Sequence, residues 1–72
     1  MSTNQHFRMQ LNNRCQYLGK SHKFEDSTTG PQHQPTWTSI AYVNGIEYGQ
    51  GSGPSRDVAK ERAAQQALNA LG

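Results

Sequence analysis

Large hydrocarbon side chains are scarce in this sequence: Leu, Ile, Val and Phe together number ten among 72 residues. A sizeable core is therefore excluded, and one small domain with a thin stability margin is what the length allows. Net charge is also low. Disorder driven by repulsion needs strong net charge, and seven Lys and Arg against five Asp and Glu leave only +2, so the chain is expected to fold. No apolar run approaches the roughly 18 residues of a membrane helix. Met1-Ser2-Thr3-Asn4-Gln5-His6 has no apolar stretch like that of a secretory signal. A soluble, intracellular location, cytoplasmic or nuclear, with no membrane partner is the corresponding expectation. Cys15 is the single cysteine, and three scattered histidines do not complete a ligand set. Neither an internal disulfide nor a metal site is expected, and no cofactor is implied. Paired carboxylates, a nucleophile elbow and a phosphate-binding glycine motif are all missing, which argues against catalysis by this chain.

What is present is patterned. Arg8, Arg14, Lys20 and Lys23 fall early and Arg56, Lys60 and Arg62 late, with no Lys or Arg between Lys23 and Arg56. Bulk charge is too small to attract nucleic acid by itself, so placement must carry any such case. Residues 1–5 are polar and aperiodic, and are expected to form a disordered lead to a domain over 6–72. Phe7, Leu11, Cys15 and Leu18 recur at helical spacing, with Gly19 as a stop, predicting a first helix over about 6–18. Cys15 on that stripe reads as a small buried hydrophobe.

A short strand is expected over about 22–27, followed by the loop signal Ser27-Thr28-Thr29-Gly30-Pro31. Thr36 to Val43 and Ile46 to Tyr48 flank Asn44-Gly45, the preferred two-residue type I′ turn, because both central positions require positive φ. That hairpin sets Val43 opposite Ile46 and Ala41 opposite Tyr48. Trp37, Ser39, Ala41, Val43, Ile46 and Tyr48 then form the core side. Gly49, Gly51, Gly53 and Pro54 are expected to end the strand. Ser55 is a good N-cap for a helix with Ala59, Ala63, Ala67 and Leu71 at i+4 spacing, ended by Gly72. The fold class is α+β, in the order α-β-β-β-α, with a three-stranded antiparallel sheet and two helices packed on one face.

Five short motifs occur in register with this order: Leu11-Asn12-Asn13, Gly30-Pro31-Gln32-His33, Val43-Asn44-Gly45, Gly51-Ser52-Gly53-Pro54-Ser55-Arg56, and Ala59-Lys60 with Ala63-Ala64 and Ala67-Leu68. Together they resemble the double-stranded RNA-binding domain over about residues 6–71. The resemblance implies a non-catalytic module that recognises A-form RNA by shape, contacting two minor grooves and the phosphates between them over about 16 base pairs. It also implies which residues face RNA: Met9, Gln10 and Asn13 on the first helix, Gly30, Pro31 and His33 in the loop, and Ser55, Arg56 and Lys60 at the start of the last helix.

The chemistry fits. Arg56 and Lys60 are four residues apart beside a helix N-terminus that already favours an anion. His33 can donate in either protonation state, and Asn13 carries the donor and acceptor that a 2′-hydroxyl needs. Two departures stand out. Asp57 occupies a position where the family carries a cation, either to steady the first helical turn or at the expense of phosphate affinity, and Asn13 stands where Glu is frequent. These keep open a protein-binding module of the same fold with weakened RNA affinity, taking a protein partner or a second copy of itself through Ile40 and Tyr42 on the outer sheet face. The targeting piece of a larger ribonuclease or deaminase is a further alternative.

Overall fold

A computed structural model describes residues 6–72, so the expected disordered lead over 1–5 lies outside the described residues. The elements are α1 (Phe7–Leu18), β1 (His22–Thr29), β2 (Thr36–Val43), β3 (Ile46–Gly53) and α2 (Arg56–Leu71). The strands form one antiparallel sheet in the order β1-β2-β3. Asn44 and Gly45 take φ of 52° and 80°, the two positive values the turn demands. Asn44 also accepts from the Ser21 N–H at 3.0 Å and donates to the Ser21 carbonyl at 2.9 Å, which ties the hairpin tip to the start of β1. Ser55 caps α2 by accepting from the Val58 N–H at 3.2 Å.

The core is small, as the scarcity of large hydrocarbon side chains requires. Leu11 and Cys15 from α1, Ala41 and Val43 from β2, and Ala63, Ala64 and Ala67 from α2 are its buried members, with Phe7, Phe24, Tyr48, Leu68 and Leu71 packed around them. Burial pushes the Cys15 thiol pKa up, opposed by nearby Lys20, so Cys15 stays a protonated hydrophobe. Two residues assigned to the core side of the fold are exposed: Leu18 at 44% and Ile46 at 61%. Leu18 is the last residue of α1 and Ile46 the first of β3, so the packing layers run out at both.

β3 also differs from expectation. The register shifts at Ala41/Tyr42, so that Ala41 pairs with Gly49 and not with Tyr48, and the strand runs on through Gly53. The extra residue turns Gly49, Gly51 and Gly53 toward α2 and leaves Gln50 and Ser52 on the alternate positions. Space explains why glycine is needed there. A Cβ on Gly51 would lie 2.5 Å from the Ala63 nitrogen and 2.7 Å from the Ala59 oxygen, and one on Gly53 would lie 2.5 Å from Val58 Cγ1. The glycines therefore let an alanine-faced helix lie almost directly on the strand backbone. Ser39, fully buried on β2, is small for the same reason; among the described residues its hydroxyl meets no hydrogen-bond partner.

Among the described residues, no helix is long and apolar enough to cross a membrane, and no group of three His, Cys, Asp or Glu could hold a metal ion.

Candidate nucleic-acid interface

The start of α2 is the hub of the site. β1 and β2 open into the Gly30–His33 loop at the end of the sheet where Trp37 pairs with Gly53, two residues before the Ser55 cap. Gly30 takes φ 91°, a conformation costly to any residue with a Cβ, and the Gln34 N–H donates to the Pro31 carbonyl at 3.1 Å. The loop is thus a closed turn, with Pro31 and His33 exposed.

From the other side, α1 is fastened to the same end of α2. His6 at its N-cap makes no side-chain capping bond, and the missing acceptor comes from the neighbouring helix. Glu61 Oε1 accepts from the Phe7 N–H at 2.7 Å and the Arg8 N–H at 3.4 Å, while Glu61 Oε2 takes Arg8 Nε at 2.7 Å. A carboxylate on orphan helix N–H groups satisfies donors and the helix dipole together. The charge-assisted bond to Glu61 raises the already high Arg8 pKa. This anchoring leaves Met9, Gln10 and Asn13 exposed, with Met9 60% accessible.

Arg56 and Lys60 project from one side of α2, but not freely into solvent. The Arg56 guanidinium lies 4.7 Å from the Trp37 ring centroid, and the Lys60 ammonium 5.7 Å from that of Phe24. Both converge on Asp26, whose Oδ2 is 3.4 Å from Lys60 Nζ and 4.0 Å from Arg56 Nε. Asp57 meets Arg8 at 3.4 Å. Three cations (Arg8, Arg56, Lys60) therefore face three carboxylates (Asp26, Asp57, Glu61) around the first turns of α2. The local charge balances, so attraction for a phosphate depends on which pairs can open.

The sequence-predicted site residues thus lie on three segments: the β1–β2 loop beside the start of α2, the start of α2 itself, and α1, which is fastened to the first turns of α2 at Arg8 and reaches its C-terminal end at Arg14, whose Nη1 donates to the Gly72 carbonyl at 3.1 Å. The sequence reading missed Arg8, Asp26 and Glu61. A signal existed for Asp26, because strand alternation from Phe24 puts it on the helix side of β1. None existed for Glu61, whose role depends on how two helices distant in sequence come together.

Known proteins share both sequence and shape with this chain. A stretch of 43 residues, 60% of the chain, is 42% identical to "Ribonuclease 3" of Streptomyces coelicolor and covers 16% of that protein. Another of 45 residues, 62% of the chain, is 43% identical to "Double-stranded RNA-specific editase B2" of Mus musculus and covers 6% of it. The chain therefore spans less than a fifth of either protein. Among solved structures, the first dsRBD of protein HYL1 superposes with TM-score 0.74 at 26% identity, over 85% of this chain and 89% of that one. A DRB4 fragment holding both dsRBDs and their linker gives TM-score 0.76 over 99% of this chain and 47% of that one, and at 22% identity it supports the fold alone. The family pattern "Double-stranded RNA binding motif" matches residues 7–71, nearly the whole of this sequence, and the chain belongs to that family.

Proposed function

We propose that this domain holds A-form RNA duplexes by shape, with little base specificity. Met9, Gln10 and Asn13 of α1 enter one minor groove, and Gly30, Pro31 and His33 enter the next. Ser55, Arg56 and Lys60 meet the phosphates across the intervening major groove. The observation that carries this reading is that α2 holds the other two segments: the Trp37–Gly53 pairing sets the loop beside its start, and α1 is fastened along it from the Glu61 cap to the Arg14 bond at Gly72. The domain is a binding part and not itself catalytic. Two of the relatives are named as a ribonuclease and an RNA editase, so attachment to a larger RNA-processing enzyme is a natural setting for it.

A titration with duplex RNA of about 20 base pairs, duplex DNA of equal length and single-stranded RNA at two salt concentrations tests the reading. Duplex RNA should bind best, because only the A-form presents minor grooves at the spacing of the two contact regions. Equal affinity for RNA and DNA duplexes would overturn it. The second reading, a protein-binding module with weakened RNA affinity, is favoured by the balanced charge around α2, and gains if duplex RNA does not bind.

A further inference from the structure

We propose that Asp26 is a built-in competitor for RNA phosphate: its carboxylate occupies the cation pair Arg56/Lys60 and sets how tightly the domain holds a duplex. The inference rests on the proposed phosphate role of Arg56 and Lys60. It stands on the position of Asp26 in the fold. Phe24 and Asp26 alternate on the helix side of β1, opposite Ala41 and Ser39 of β2, where a strand normally offers apolar residues to the helix above. A carboxylate there needs a partner, because burying a charge unpaired is costly. Asp26 stands on an exposed stretch of β1, but its side chain is covered: only 19% of it is exposed, and that of Lys60, its nearer partner, is 26% exposed. The Lys60 ammonium lies over the Phe24 ring and against Asp26; the Arg56 guanidinium lies over Trp37 and within 4.0 Å of the same oxygen.

The two cations offered to an anion are therefore already shared with one. A phosphate approaching Arg56 and Lys60 meets Asp26 within the same cluster, and since a carboxylate and a phosphate are both acceptors, they compete for the same N–H donors. The phosphate gains only the difference between its own pairing and that of Asp26, and it is repelled by the residual negative charge. Asp57 is unlike Asp26 in this respect: it pairs with Arg8 and its side chain is 78% exposed.

The test compares the parent chain with Asp26→Asn, nearly the same shape without the charge, and Asp26→Thr, a strand-favouring second variant should the amide disturb folding. Glu47→Gln is the control, an exposed carboxylate beside the hairpin turn at the other end of the sheet. Affinity for a duplex RNA of about 20 base pairs is measured at two salt concentrations, with circular dichroism to verify the fold. Asp26→Asn should bind roughly fivefold tighter, the order of one unit-charge repulsion at about 4 Å in water. Its salt dependence should be steeper because more counterions are exchanged. Glu47→Gln should match the parent. Unchanged binding by folded Asp26 variants would overturn the proposal, and weaker binding would overturn it and mark Asp26 as a positioning residue for Lys60. Equal tightening by Glu47→Gln would overturn it as an effect of bulk charge. A parent that ignores duplex RNA altogether refutes the underlying function reading instead, and the two failures are thereby distinct.

Discussion

Asp57 shows how one side chain acts on stability and on binding with opposite signs. It sits in the first turn of α2, where a negative charge is favourable, and lies 3.4 Å from Arg8. Both contributions are modest at an exposed site. On the proposed reading, in which Arg56 meets RNA phosphate, it would be an unwanted anion in the same turn. Asp57→Lys should therefore strengthen duplex RNA binding and steepen its salt dependence, while lowering folding stability by at most about 1 kcal/mol. Paired RNA titrations and thermal melts measure the two effects separately. A stability loss with unchanged affinity would mean that residue 57 points away from the bound duplex. The sequence pattern already exposed this tension at Asp57, because helix position and charge are both local. It could not expose that Arg8 relieves it, because that pairing joins residues 49 apart in the chain.

Elements form here by local rules and are then adjusted by packing. The Asn44-Gly45 turn, the Gly19 stop of α1 and the Ser55 cap were legible because each depends on a few consecutive residues. The register of β3 was not. Plain alternation from the turn places Tyr48 against Ala41, and the single bulged residue that corrects this is selected by the closeness of α2, which only the assembled fold defines. The glycines read as strand breakers are instead the surface on which α2 rests. Gly51→Ala tests this, because a methyl group at 2.5 Å from the Ala63 nitrogen meets backbone that cannot rotate aside. Overpacking of this kind costs about 1–3 kcal/mol, and for a domain of this size each kcal/mol lowers Tm by roughly 4–8 °C. A melt unchanged from the parent would mean that α2 stands farther from β3 than the geometry gives.

At the scale of the whole molecule the question is which surfaces stay unpaired. The outer sheet face carries Ile40 and Tyr42, the pair that suggested self-association, but Lys23 pairs with Glu25 at 3.3 Å and lies 5.6 Å from the Tyr42 ring centroid. Partial desolvation, then Glu25 and Glu47, push the Tyr42 phenol pKa up, which keeps it protonated among charged neighbours. That face is wet and mixed in charge, unlike an apolar patch that seeks a partner. A free β-edge is the stronger hazard, since its open N–H and C=O groups invite another strand. On β3 the Gln50 N–H donates to Gln66 Oε1 at 3.0 Å, and Arg62 Nη1 donates to the Ser52 carbonyl at 2.7 Å. Side chains of α2 thus stand where a second strand would pair. The parent should sediment as a monomer, and Ile40→Thr with Tyr42→Thr should change neither its mass nor its affinity for duplex RNA. Arg62→Ala with Gln66→Ala should instead create a dimer by opening the edge, with circular dichroism showing an intact fold. If the parent is already dimeric and the Ile40/Tyr42 pair of changes dissolves it, the outer sheet face is the interface and the edge is not what decides association. If the edge variant stays monomeric, the Gln50 and Ser52 groups are satisfied by water, and the α2 side chains do not guard the edge.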